Sequence, residues 1–336
     1  MSLFNPAELA ELSCSDRENA TIELFNQAIQ KEDYDTASEV ADYVLEFNTP
    51  FSYGWKLHCV QWITHYRIKL WQNTEDGSPE SEKYGKLIFD HLWQYKWVVD
   101  YLSEDLSVSL ETINEVTEEM ENLYRHFDFS LGMVEKAKML QAIRLGNEPA
   151  ARKYFERWQK ADDGALDDCE ACIQDNLIKY YHFIGEHSRV LELAEPILSG
   201  KMTCGEVPHV SFRYIISSLM KLGKFEEAKN TLYDAINVIE KEIDEFVYLI
   251  PELVQFACRL GLYETAEELM DNHNDRILNV VQNNHFYGLH YLIACSFFNE
   301  EVKEPAQDLA RKFDERNGTE YYQTYLSFLF SSPKLH

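Results

Sequence analysis

The sequence predicts an all-α solenoid of helix-turn-helix repeats with a period of about 38 residues. Three observations predict it. The tripeptides Arg144-Leu145-Gly146, Lys221-Leu222-Gly223 and Arg259-Leu260-Gly261 each have an alanine five residues after the glycine, at Ala151, Ala228 and Ala266. Between them Gly185 and Val190 fill the same places, so the series 151, 190, 228, 266 advances by 39, 38 and 38. Finally, Glu32-Asp33-Tyr34-Asp35-Thr36-Ala37 repeats the turn without a glycine, and Ala37 precedes Ala151 by 114 residues, three periods of 38.

In chain order, residues 1–130 read as degenerate helical repeats and 131–336 as clear ones, continuous with the first part. Tyr53–Gln72 and Glu80–Tyr101 are two long aromatic-rich helices separated by the polar turn cluster 73–79. Their tryptophans, Trp62 to Trp71 and Trp93 to Trp97, read as packing groups. A further helix runs from Leu110 to Phe127, and the glycine-turn units follow. The last unit pairs Asn284–Phe298 with Pro305–Phe313. After Asn317-Gly318 an apolar helix over 320–330 is expected to cap the exposed end of the stack.

The spacing of Gly223, Phe225, Ala228 and Ala235, repeated at Gly261, Tyr263 and Ala266, resembles the turn of the tetratricopeptide repeat. The resemblance covers about residues 131–310. It implies a right-handed α-α superhelix whose first helices line a concave surface that binds protein or peptide. Mapped onto that spacing, Lys136, Lys179 and Arg213 fall on the concave surface, where they would suit an acidic segment or a terminal carboxylate. Arg144, Lys221 and Arg259 lie two residues before turn glycines, where a cation favours the negative end of the helix dipole. Asn283, Asn284, His285, Tyr287 and His290 form a polar-aromatic patch that reads first as packing.

Cys169, Cys172, Cys204 and His209 carry the sharpest chemistry. Cys169 and Cys172 open one repeat's first helix, and His209 follows Cys172 by 37 residues, almost one period. Three thiolates and one imidazole are a closed tetrahedral donor set, so the expectation is a structural zinc that staples two units through the loop 198–208. His182, His187 and Asp168 are the substitutes for His209. A redox pair or reduced, packed cysteines are the other readings of the CxxC pair. The wider pattern, Asp168-Cys169-x-x-Cys172 and Thr203-Cys204-x-x-x-Pro208-His209, is also similar to that of a group of bacterial tetratricopeptide-like proteins, a resemblance that implies no activity. Cys14, Cys59, Cys258 and Cys295 stand singly in helical patterns, so no disulfide framework is expected.

A formal net charge of −27, from 58 acidic and 31 basic residues, disfavours nucleic acid and anionic lipid as partners. No phosphate loop, His-Glu-x-x-His, Gly-x-Ser-x-Gly or dinucleotide fingerprint occurs, and Asp271–Asp275 lacks the glycine and glutamate of a calcium loop. With neither a secretory leader nor a membrane span in view, a cytoplasmic chain is expected. The expected function is a non-enzymatic scaffold or adaptor for protein or peptide, with a structural zinc. A peptide-sensing regulator and a zinc-dependent hydrolase are the alternatives.

Overall fold

Six helix ends close by the same pair of hydrogen bonds. At the turn of Gly146, the Gly146 amide donates to the Ile143 carbonyl at 3.0 Å and the Asn147 amide to Ala142 at 2.8 Å. The pairing recurs with Gly185 and Glu186, Gly223 and Lys224, and Gly261 and Leu262. Each glycine has φ between 71 and 80°, the left-handed conformation that lets a helix C-terminus satisfy its last carbonyls. Glu32 and Asp128 adopt φ 57° in two further turns with the same bonds, so the N-terminal part uses the turn without its glycine.

The computed structural model describes residues 4–46 and 51–331. It is all-helical, 77% helix with no strand among the described residues. The helices are α1 (Pro6–Ala10), α2 (Cys14–Gln30), α3 (Tyr34–Leu45), α4 (Tyr53–Gln72), α5 (Pro79–Tyr101) and α6 (Leu110–His126). They continue with α7 (Gly132–Arg144), α8 (Glu148–Trp158), α9 (Glu170–Phe183), α10 (His187–Leu198), α11 (Phe212–Lys221) and α12 (Phe225–Ile239). The last are α13 (Ile243–Phe246), α14 (Ile250–Arg259), α15 (Tyr263–Val281), α16 (His285–Cys295), α17 (Lys303–Asn317) and α18 (Tyr321–Ser331). Serine hydroxyls cap α2, α4, α5 and α6 by accepting an amide three residues on, and Asp33 caps α3. No helix among the described residues is long and apolar enough to cross a membrane.

The chain divides into two units. The first comprises Met1–Gln141, Arg157–Leu166 and Gln282–Asn284. Its core holds Ile63, Leu92, Tyr95, Ile113, Met120 and Tyr124, and the Tyr124 hydroxyl meets the Leu92 carbonyl at 3.0 Å. Trp55 donates to Thr21 at 3.1 Å and the Trp62 ring stacks on Tyr66. The second unit comprises Ala142–Glu156, Asp167–Val281 and His285–His336. There α9 packs on α10, α11 on α12 and α14 on α15, each pair folding across a glycine turn. Ala151, Val190, Ala228 and Ala266 are all completely buried; a larger side chain there would hold the paired backbones apart.

Candidate metal centre

Cys169 stands at the N-cap of α9, the place serine takes in other helices, and its sulfur accepts the Cys172 amide at 3.5 Å. The i, i+3 spacing sets Cys172 beside it on the first turn. Cys204 comes from the loop between α10 and α11. That loop is folded by the Met202 amide on the Pro196 carbonyl at 2.9 Å and the Cys204 amide on Val207 at 3.1 Å. The Sγ atoms of Cys172 and Cys204 are 3.4 Å apart, and all three sulfurs lie within 4.8 Å of one another. A tetrahedral zinc with sulfur at about 2.3 Å separates its sulfurs by about 3.8 Å, so the trio has the dimensions of one face of such a site.

The local electrostatics fit a cation. Burial pushes the Cys172 thiol well above its ordinary range, and neighbouring Cys204 and Cys169 push it further. Burial also raises Cys204, against the backbone amides of Glu206 and Val207 that bond its sulfur. Three thiolates packed this closely repel one another. A bound dication removes that penalty and displaces the protons, while the amide donors would hold the ligand orientation. The other cysteines lie outside the trio: Cys14, Cys59 and Cys258 are buried and Cys295 is half-buried, none of them in a disulfide.

His209, the expected fourth donor, is not in this group. Its ring lies flat on Phe246, with centroids 4.0 Å apart and planes at 4°, and its Nε2 is 3.5 Å from the Glu242 carboxylate. Glu242 lies in the turn from α12 into α13 and Phe246 ends α13, and stacking on Phe246 beside the acid places the imidazole there. The substitutes are also outside the trio. His182 Nε2 bonds the Ser217 hydroxyl at 2.9 Å, His187 Nδ1 bonds that of Ser218 at 3.2 Å, and Asp168 is not among the grouped ligands.

The residues of the expected basic stripe are largely buried and paired with acids. Lys136 is 1% exposed and pairs with Asp100 at 3.0 Å, Lys179 pairs with Asp175 at 2.8 Å, and Arg213 pairs with Glu252 at 2.8 Å. Burial is the largest influence on Lys179 and works against its charge, yet Asp175 and Tyr214 together outweigh it and the ammonium is held on. These cations thus meet internal carboxylates within the helical stack. The sequence reading missed Asp100, Asp175, Glu252 and Ser211. The Ser211 hydroxyl donates to Asp175 at 2.7 Å, and Gln255 donates to the His290 carbonyl at 3.0 Å. Together with His182–Ser217 and Arg213–Glu252, these bonds join residues 35 to 39 apart, one period, and that separation is the signal that would have found them.

Burial holds the His182 imidazole down to about 3, with His187 adding to the shift. The folded protein thus binds this proton less readily than the unfolded chain. The contribution of His182 is complete above pH 6.5 and is lost as pH falls from 6.5 towards 3, by up to about 1.4 kcal/mol per pH unit. Urea unfolding between pH 7 and 5 should show that slope, and His182→Gln should flatten it.

Neither a family model, nor a curated protein, nor a solved structure matches the chain.

Proposed function

We propose that the chain is a non-enzymatic, tetratricopeptide-like scaffold for protein or peptide, a right-handed stack of helical hairpins in which zinc on Cys169, Cys172 and Cys204 fixes one long loop. The observation that carries the metal assignment is the convergence of three sulfurs from two hairpins within 4.8 Å. Soft thiolates select a soft or borderline cation, and zinc forms such sites without redox chemistry. The scaffold reading is supported by the regular glycine turns and the fully buried small residues behind them.

Elemental mass spectrometry of chelator-free protein is expected to give one zinc per chain. Cys169→Ser/Cys204→Ser should abolish it and lower stability on the scale of a cross-link, about 2–4 kcal/mol. His209→Ala should keep the metal, because that ring lies beside Phe246 and Glu242. Metal-free wild-type protein with all thiols reduced would refute the zinc staple. The scaffold reading is tested separately: it requires a stable protein partner in pull-down, whereas turnover that follows metal loading would establish an enzyme instead.

A further inference from the structure

Four positions in the second unit are equivalent: Arg144, Phe183, Lys221 and Arg259 each lie two residues before a left-handed turn glycine. All four touch α18. The Tyr322 hydroxyl donates to the Arg144 carbonyl at 2.6 Å, and the Phe183 and Tyr321 rings are 5.7 Å apart. Lys221 Nζ sits 3.9 Å from the centre of the Phe328 ring, with the Arg259 guanidinium 5.7 Å from it. The terminal helix therefore lies along one register row of the repeats.

Two faces of α18 make different contacts. Tyr322, Leu326 and Leu329 are buried, with Tyr322 against Phe313 at 5.0 Å. Tyr321 and Phe328, which meet the row together with the Tyr322 hydroxyl, remain 39% and 43% exposed. In a chain with 89 charged residues, Tyr321–Ser331 contains none. Lys221 and Arg259 accordingly meet an aromatic ring there, and neither forms an ion pair with a carboxylate among the described residues. A ring face attracts a cation less strongly than a hydrogen-bonded carboxylate does.

We propose that this row is the docking surface for a helix of a protein partner, and that α18 occupies it in cis. The partner displaces α18 by presenting an aromatic face together with a carboxylate to Lys221 and Arg259, where α18 presents the Phe328 ring and Tyr325. The proposal rests on the scaffold reading and adds the surface and the chemistry of its partner. The corner that permits exchange is Asn317-Gly318-Thr319-Glu320, with Gly318 at φ 69°. One side chain anchors it: the Asp314 carboxylate accepts the Tyr322 and Gln323 amides at 3.0 and 2.9 Å.

The test uses full-length chains and a fluorescent synthetic peptide copying residues 319–331 with Phe328→Glu. Asp314→Ala should bind it at least ten-fold more tightly than wild type. Adding Lys221→Glu/Arg259→Glu to that variant should cost at least ten-fold. If Asp314→Ala does not fold, Tyr321→Ala/Phe328→Ala releases the same face from half-exposed positions and takes its place in both comparisons. Equal affinity for all folded chains, or binding to none of them, overturns the proposal. Such a failure leaves the scaffold reading intact, since that reading depends on recovery of a partner at any surface.

Discussion

Replacing Lys136 with methionine should lower the unfolding free energy by about 3–5 kcal/mol, among the largest single effects in the chain. The Lys136 ammonium lies 3.0 Å from Asp100, and both side chains are at most 4% exposed. Methionine has nearly the volume of the lysine stem, so the loss is electrostatic: Asp100 would be left as a carboxylate in the core or forced to take up a proton. Lys136→Met/Asp100→Leu removes both charges and should recover most of the loss, because two desolvated ions roughly offset their own attraction. Urea unfolding of wild type, both single variants and the double variant closes this cycle. A double variant as unstable as Lys136→Met would show that packing, rather than charge, dominates the site.

Gly146→Ala should also be costly, for two separable reasons. The glycine adopts φ +71°, which strains any other residue by about 1 kcal/mol. An added Cβ would also meet Tyr321 Cβ at 2.3 Å and Cγ at 2.6 Å, so α18 must shift. Together these should cost about 2–4 kcal/mol. Gly223→Ala is the control, since its φ is +74° with nothing within 4 Å of the new atom, and it should lose only the strain. Amide exchange over 320–331 should accelerate in Gly146→Ala and stay unchanged in Gly223→Ala. Equal losses in both variants would mean that α18 does not press on this turn in solution.

The hairpins were legible in the sequence because their signal is local. A turn glycine, the alanine five residues on and the apolar stripe between them all act within one period, and the expected helix Tyr53–Gln72 agrees with the structure to the residue. The three cysteines were legible for a related reason: an N-cap pair and a loop one period later must come near each other when consecutive hairpins stack. His209 was less so, because Phe246 and Glu242, which neighbour its ring, lie beyond the next two helices and carry no pattern of their own. The burial of Lys136, Lys179 and Arg213 was not legible. Their spacing put the three on the first helices, but in a chain with 58 acidic residues nothing local marks which carboxylates turn inward to meet them. The course of α18 was also hidden, since it depends on Asp314 accepting two amides eight and nine residues ahead.

The hairpins share one backbone, but the bonds between their first helices are not interchangeable. Ser211 meets Asp175, Arg213 meets Glu252, and Gln255 meets His290, a different pairing at each junction. Suppose one period, residues 186–223, were excised so that Gly185 joined Lys224. Every turn would keep its glycine and the apolar surfaces would still match in size. Yet Asp175 would now occupy the register of Arg213, ten residues before its glycine, and would face Glu252 carboxylate to carboxylate. The order of the units is thus written in buried charge, which gives each hairpin one proper neighbour and makes the series a sentence that cannot be shortened by a word.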